Sequence, residues 1–193
     1  MAYTGFNHLA MVTGDMEGTV RYWRDLIGLR LVAAIGQPGY RHYFFEITPG
    51  DRLAFFEWPG VVPAPDKDHG RPVKGPVVFD HVAIGVDGPE TLWALRDRLL
   101  AAGFWVSEAV DHGFIHSIYS FDPNGLPVEF SYDVPERDVG KSPMLADPEL
   151  VAAAKEGPEP QPGKWPAVKF PTPLKARRVY PGAGSEIFHG RKG

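Results

Sequence analysis

The sequence predicts an α+β protein made of two copies of a β-α-β-β-β module followed by a proline-rich C-terminal tail. Residues 6–12 read F-N-H-L-A-M-V and residues 79–85 read F-D-H-V-A-I-G, with one histidine at the same place in each. A glutamate closes a later apolar run at nearly the same distance in both copies. Glu57 lies 49 positions after His8, and Glu129 lies 48 after His81. Between each histidine and its glutamate, the spacing of apolar residues passes from strand-like to helical and back to strand-like.

The elements follow from that spacing. Residues 6–12 alternate as a strand, broken by Gly14 and Asp15. Residues 15–27 place Met16, Val20, Trp23, Leu26 and Ile27 on one helical face, with Asp15 as N-cap and Gly28 as stop. Strands are expected over Leu29–Ile35, Tyr40–Ile47 and Arg52–Trp58, separated by G-Q-P-G and T-P-G-D turns. Residues 59–76 are rich in proline and glycine and read as a linker. The second copy predicts a strand at Val77–Val86 and a helix at Pro89–Ala102 with Leu92, Leu95, Leu99 and Ala102 on one face. Three strands follow, at Phe104–Val110, Ile115–Asp122 and Leu126–Tyr132, with D-P-N-G as the hairpin turn between the last two. The organisation is therefore a first module at 1–58, a linker at 59–76, a second module at 77–133 and a tail at 134–193. The tail holds six prolines in residues 157–173, and a short helix is possible at Pro148–Glu156. Trp165, Phe170, Tyr180 and Phe188 give it more aromatics than a disordered segment usually has, so it is expected to wrap over its own body or a partner subunit.

Composition narrows the chemistry. At 193 residues the chain is long enough for one sizeable core or two small ones. A net charge of −4 with no basic stripe argues against a nucleic-acid partner. The absence of cysteine excludes disulfides, thiolate metal sites and cysteine nucleophiles. The first residues lack the charged and apolar regions of a signal peptide, and no apolar run is long enough to span a bilayer. A cytoplasmic protein with no membrane partner is expected. No dinucleotide, P-loop or serine-hydrolase motif occurs.

His8, His81 and Glu129 are the candidate metal ligands. Two neutral imidazoles and a carboxylate on one face of a metal leave further coordination positions open. The competing reading is two half-buried histidines that recur only because the module is duplicated. Glu57 is a fourth candidate ligand, but its offset from Glu129 differs by one residue from that of the histidines, and such a slip reverses a strand side chain's face. If Glu57 points inward, so do Leu53 and Phe55, while Phe56 and Trp58 pack against the helix. His112 and Tyr119 are candidates for proton handling, set against the plainer reading of His112 as a solvated hairpin tip. His116 has the wrong parity to join Tyr119. His42, Tyr43 and Phe45 lie on a strand that could line a cavity, though aromatics there are more often core. His69 and His189, in Pro/Gly-rich segments, read as solvated. The arginines at 21, 24, 96 and 98 mark outer helix faces.

Two β-α-β-β-β units with His on each first strand and Glu on the fourth resemble the vicinal oxygen chelate superfamily, which includes glyoxalase I, bleomycin-resistance proteins and type I extradiol dioxygenases. The resemblance covers residues 6–133. It implies paired incomplete barrels around one cavity and a divalent metal that chelates neighbouring substrate oxygens. Residues 112–129, H-G-F-I-H-S-I-Y-S-F-D-P-N-G-L-P-V-E, resemble the dioxygenase branch more finely. There His112 resembles the acid/base histidine and Tyr119 the tyrosine beside the substrate oxygens. The His–Tyr spacing is shorter than in that branch, and His116 is additional. The resemblance implies Fe(II), with Mn, Ni, Zn or Co as alternatives, a small aromatic substrate and a homodimer. The expected activity is extradiol cleavage of a catechol-type diol with O₂. The alternatives are a glyoxalase-like lyase or isomerase, which would need Glu57 at the metal, and a bleomycin-resistance-type binding protein.

Overall fold

The computed structural model describes residues 5–65, 69–70, 79–149 and 151–182, with Ser185 and His189. The start of the strand expected at 77, parts of the linker and Phe188 lie outside the described residues. The chain divides into two units, Met1–Val134 and Pro135–Gly193.

The first unit repeats one arrangement. Its first half runs β1 (Leu9–Thr13), α1 (Met16–Val20), a π-helical turn (Arg21–Leu26), β2 (Arg30–Gln37), β3 (Tyr40–Thr48) and β4 (Asp51–Glu57). The second half runs β5 (Val82–Gly85), α2 (Pro89–Ala101), β6 (Val110–Asp111), β7 (Ile115–Phe121) and β8 (Pro127–Asp133). The sheets are ordered β1-β4-β3-β2 and β5-β8-β7-β6. In each, the first strand runs parallel to the last, and the other pairs are antiparallel. The α+β class and the doubled βαβββ order are those the sequence predicts.

Strand alternation sorts each sheet into two faces. Phe45, Leu53 and Phe55 face α1 and its π turn, and Ile118, Val128 and Phe130 face α2. Leu92, Leu95 and Leu99 supply the buried stripe of α2, which starts with Pro89 in its first turn. These residues join Met16, Tyr22 and Trp23 in one core cluster spanning both modules. The first helix departs from the expected regular spiral. Asp15 caps Gly18 N at 3.0 Å, but from Arg21 the turns widen, and Ile27 N bonds to Tyr22 O rather than to residue 23. The wider turn buries the consecutive residues Tyr22 and Trp23 together, which a 3.6-residue spacing does not anticipate.

The D-P-N-G turn joins the modules. Asp122 Oδ1 accepts from Asn124 N and Leu126 N, and Oδ2 accepts from Asn124 Nδ2 and from Trp23 Nε1 of the first module at 3.2 Å. Asn124 Oδ1 accepts from Thr13 Oγ1 at 2.6 Å, and Asn124 O accepts from Ala64 N. Gly125 has φ +74, and a Cβ there would stand 2.2 Å from Ala64 O, so both backbone conformation and space demand glycine. Burial raises the Asp122 carboxyl above the ordinary 3.8.

The strand expected at Phe104–Val110 shrinks to one bridge, Val106↔Ser120, and the two-residue β6. Serine side chains take over part of the pairing here. Ser120 Oγ donates to Trp105 O, and Ser107 Oγ accepts from Tyr119 N. In the second unit, the possible helix at Pro148–Glu156 reduces to a 3₁₀ turn at Ala154–Glu156. Among the described residues no helix is long and apolar enough to cross a membrane.

Asp122→Ala is expected to destabilise the protein by about 3 kcal/mol in urea unfolding, since it orphans buried N–H donors of Trp23, Asn124 and Leu126. A folded-state pKa raised above 3.8 means that folding favours the protonated carboxyl. Its titration therefore contributes most stability below 3.8 and loses it as pH rises through the raised value. The gap between wild type and variant should narrow with rising pH; a gap that widens would contradict this.

Candidate active site

The parallel pairing of β5 with β8 places Ala83 opposite Glu129, and His81 immediately precedes β5. His81 Nε2 lies 2.7 Å from Glu129 Oε2. The other ring nitrogen, Nδ1, lies 2.7 Å from Asp80 Oδ1. With Nδ1–H given to Asp80, the Nε2 lone pair of a neutral ring faces the carboxylate directly. Two such acceptors at 2.7 Å require a proton or a cation between them. Glu129 is only 3% exposed, and its Oε1 accepts from the Ser117 hydroxyl.

Tyr119 is the cross-strand partner of Glu129 on β7. Its hydroxyl lies 2.7 Å from His112 Nε2. Desolvation, then the charge of Glu129, raises the phenol, so Tyr119 stays protonated and able to donate at neutral pH. His69 packs on this group, with its ring 4.6 Å from Tyr119, 5.1 Å from Phe121 and 5.9 Å from His81. His116 turns to the opposite face, 2.6 Å from the Tyr132 hydroxyl and 3.3 Å from Asp111.

The first module repeats part of this pattern. His8 Nδ1 is held by Asn7 Oδ1 at 2.8 Å, as His81 is held by Asp80. The His8 ring stands edge-on to Phe44 at 5.4 Å and 6.3 Å from His42, which stacks on Phe56 at 3.6 Å. Burial lowers His42. Among the described residues, no three His, Asp or Glu side chains gather closely enough to hold a metal. The structure thus brings His81 to Glu129 and leaves His8 beside Phe44 and His42.

Glu57 lies elsewhere. Its Oε1 accepts from Met16 N at 2.7 Å, and its other oxygen pairs with Arg41. Leu53, Phe55 and Glu57 share the helix-facing side, whereas Phe56 shares the side of His42. By register, Leu9↔Leu53 corresponds to Val82↔Val128, so the counterpart of Glu129 is Ala54, not Glu57. A cavity of about 560 Å³ at Glu57, lined also by Arg41, Tyr43 and Trp58, holds neither His81 nor Glu129. Phe45, a possible cavity residue, is core, and His189 is exposed.

The donor chemistry of His81 and Glu129 fits a divalent metal. Two ligands at about 2.1 Å and near a right angle stand about 3 Å apart, close to the separation seen. Nitrogen and oxygen donors suit Fe, Mn, Ni, Co or Zn. Sequence reasoning overlooked Asp80 and Ser117, and it read His69 as solvated, whereas the half-buried ring packs on Tyr119 and Phe121. Asp80 had a signal, since F-N-H and F-D-H place an Asn or Asp before each histidine. Ser117 and His69 had none.

A family model described as the Glyoxalase/Bleomycin resistance protein/Dioxygenase superfamily matches residues 5–130. The chain belongs to this superfamily. It is 26% identical over 152 residues to a manganese-dependent 2,3-dihydroxybiphenyl 1,2-dioxygenase of Geobacillus genomosp. 3, covering 72% of this chain and 41% of that protein. The chain thus spans about two fifths of that relative's length. It is 25% identical over 128 residues to a lactoylglutathione lyase of Haemophilus influenzae, covering 64% of this chain and 88% of the relative. The crystal structure of a glyoxylase/bleomycin resistance protein/dioxygenase domain from Frankia sp. EAN1pec shares the fold. The TM-score is 0.57 at 17% identity, with 69% of this chain and 100% of that one covered.

Glu57→Gln should lower the unfolding free energy by about 1–2 kcal/mol, because the carboxylate holds a helix-terminal N–H and Arg41. Urea denaturation reads this, and an unchanged midpoint would show that these contacts carry no weight.

Proposed function

We propose that the protein is a divalent-metal-dependent dioxygenase that opens a catechol-type ring beside its diol. The observation that carries this reading is that, among the described residues, Glu129 is the one carboxylate facing Nε2 of His81, Asp80 being on the other ring nitrogen. Glu129 faces His81, while the matching position of the first module is Ala54 and Glu57 is engaged by Met16 N and Arg41. A glyoxalase-type reaction needs a second carboxylate in the site. In this reading His81 and Glu129 hold the metal; His8, the residue just before β1, is the third donor that the sequence repeat suggests, and it would have to leave Phe44 and His42 to join them.

When bound, the metal, Fe(II) or Mn(II), supplies chelation of both diol oxygens and a position for O₂. The chain's own groups hold and move protons. Asp80 fixes the His81 tautomer, and Ser117 orients Glu129. The Tyr119 hydroxyl donates to a diol oxygen, and His112 Nε2, behind it, accepts a proton passed through that hydroxyl. The His69 and Phe121 rings wall the site and limit water beside an aromatic substrate.

The likeness to a lactoylglutathione lyase supports a second reading, a metal-dependent isomerase or lyase on the same His81–Glu129 pair. One experiment separates the readings. Protein loaded anaerobically with Fe(II) or Mn(II) is mixed with a catechol panel, and O₂ uptake and the visible absorbance of ring-opened product are followed. Turnover is expected. Metal occupancy without turnover across the panel would sink the dioxygenase reading, and isomerisation of a glutathione hemithioacetal would establish the alternative. Glu129→Gln should weaken metal binding at least about 100-fold and Asp80→Ala about 10–100-fold. Glu57→Gln should leave it unchanged, as read by metal titration calorimetry.

A further inference from the structure

β6 is only two residues long, and both Val110 and Asp111 are exposed. Its pairing with β7 consists of Val110↔Ser117 and Asp111↔His116. A strand that buries no side chain has a weakly specified register, and a slip of one residue exchanges the faces of all its side chains. The register matters to the site. Asp111 stands on the face of His116, whereas the next residue, His112, reaches the Tyr119 hydroxyl at 2.7 Å on the other face of β7. A slip would bring a carboxylate toward Tyr119 and take the imidazole away.

His116 is placed to prevent that slip. Its Nδ1 lies 2.6 Å from the Tyr132 hydroxyl, and its Nε2 lies 3.3 Å from Asp111 Oδ1. One neutral tautomer serves both, since Nδ1 accepts from Tyr132 while Nε2–H faces the carboxylate. The same Asp111 oxygen accepts from Gly113 N at 2.6 Å, with Gly113 at φ +85, so it also shapes the turn that carries His112. At the other end, Tyr132 packs on the core cluster and is the cross-strand partner of His116. Backbone bonds from His112 N to Ile115 O and from Val134 N to Phe114 O close the hairpin tip. A slipped ladder can replace backbone bonds with equivalents, whereas the side-chain contacts of His116 exist in one register only.

We propose that His116 is a positioning residue: with Tyr132 and Asp111 it pins the register of the β6–β7 hairpin and so keeps His112 Nε2 on the Tyr119 hydroxyl. This role rests on Tyr119 and His112 acting as the proton-handling pair. It is exerted from the opposite face of the sheet, through the two-residue strand that precedes His112.

Nitrogen-15 NMR of the histidine rings in the full, metal-free chain tests this. His112→Asn assigns the His112 signals, and Tyr119→Phe should shift them in the wild-type background. In His116→Leu the His112 signals should move to those of a solvated ring and lose their response to Tyr119→Phe. Tyr132→Phe, which removes one oxygen from the same line, should produce part of that change. His116→Gln, which keeps a donor and an acceptor, should restore the wild-type response. Amide spectra check folding, and if His116→Leu unfolds, Tyr132→Phe carries the test. His112 signals that keep their response in the folded variants overturn the proposal, as does a wild-type His112 that ignores Tyr119→Phe. With Mn(II)-loaded protein and a catechol that turns over, His116→Leu should lower kcat at least about 10-fold and leave KM within about twofold, because a displaced proton-handling group slows the chemical step more than it weakens binding. A catechol panel without turnover sinks the dioxygenase reading, while the spectra still decide whether His116 sets the register.

Discussion

The parallel pairing of each module's first strand with its last is the constraint on which the site depends. A histidine and a glutamate 48 residues apart meet because β5 and β8 are neighbours in register, with Ala83 against Glu129 and Val82 against Val128. Strand alternation then decides what each side chain sees. Val128 and Phe130 turn to the helix side and are buried in the core, while Glu129 turns to the face that carries His81, Ser117 and Tyr119. The same backbone plan in the first module aligns Leu9 with Leu53 and Ala10 with Ala54. Duplication has kept the scaffold and changed its chemical content.

The asymmetry has a physical logic. A carboxylate buried to the extent of Glu129 needs partners, and Ser117, His81 and Tyr119 surround it. The first module has Ala54 in that position, and His8 rests among Phe44 and His42. Its own glutamate, Glu57, serves the start of α1 instead. The two halves are coupled through the turn at Asp122–Asn124. Buried hydrogen bonds to Trp23 and Thr13 hold the second module's hairpin against the first module's helix.

The repeat, the order of elements and the helical stripe at Leu92, Leu95 and Leu99 were legible because they rest on local periodicity. The boundary misses share one cause, in that side chains altered the backbone pattern. Trp23 and Tyr22 are both buried by a widened turn, and Ser107 and Ser120 replace ladder bonds near Trp105. D-P-N-G read as a local hairpin signal, yet its carboxylate and amide are spent on the other module.

By itself the sequence determined that two βαβββ modules form, that His8 and His81 occupy equivalent places, and that any metal must use nitrogen and oxygen donors. Composition, duplication and spacing carry that information without reference to contacts. Only the tertiary structure decided that Glu57 and Glu129 are not equivalent. Similar spacings of 49 and 48 conceal a different strand register: Glu57 lies three residues beyond Ala54, the counterpart of Glu129, and an odd offset puts a carboxylate on the opposite face of a sheet. It also decided that His69 stands against Tyr119, since the linker's path depends on packing to which no local pattern points.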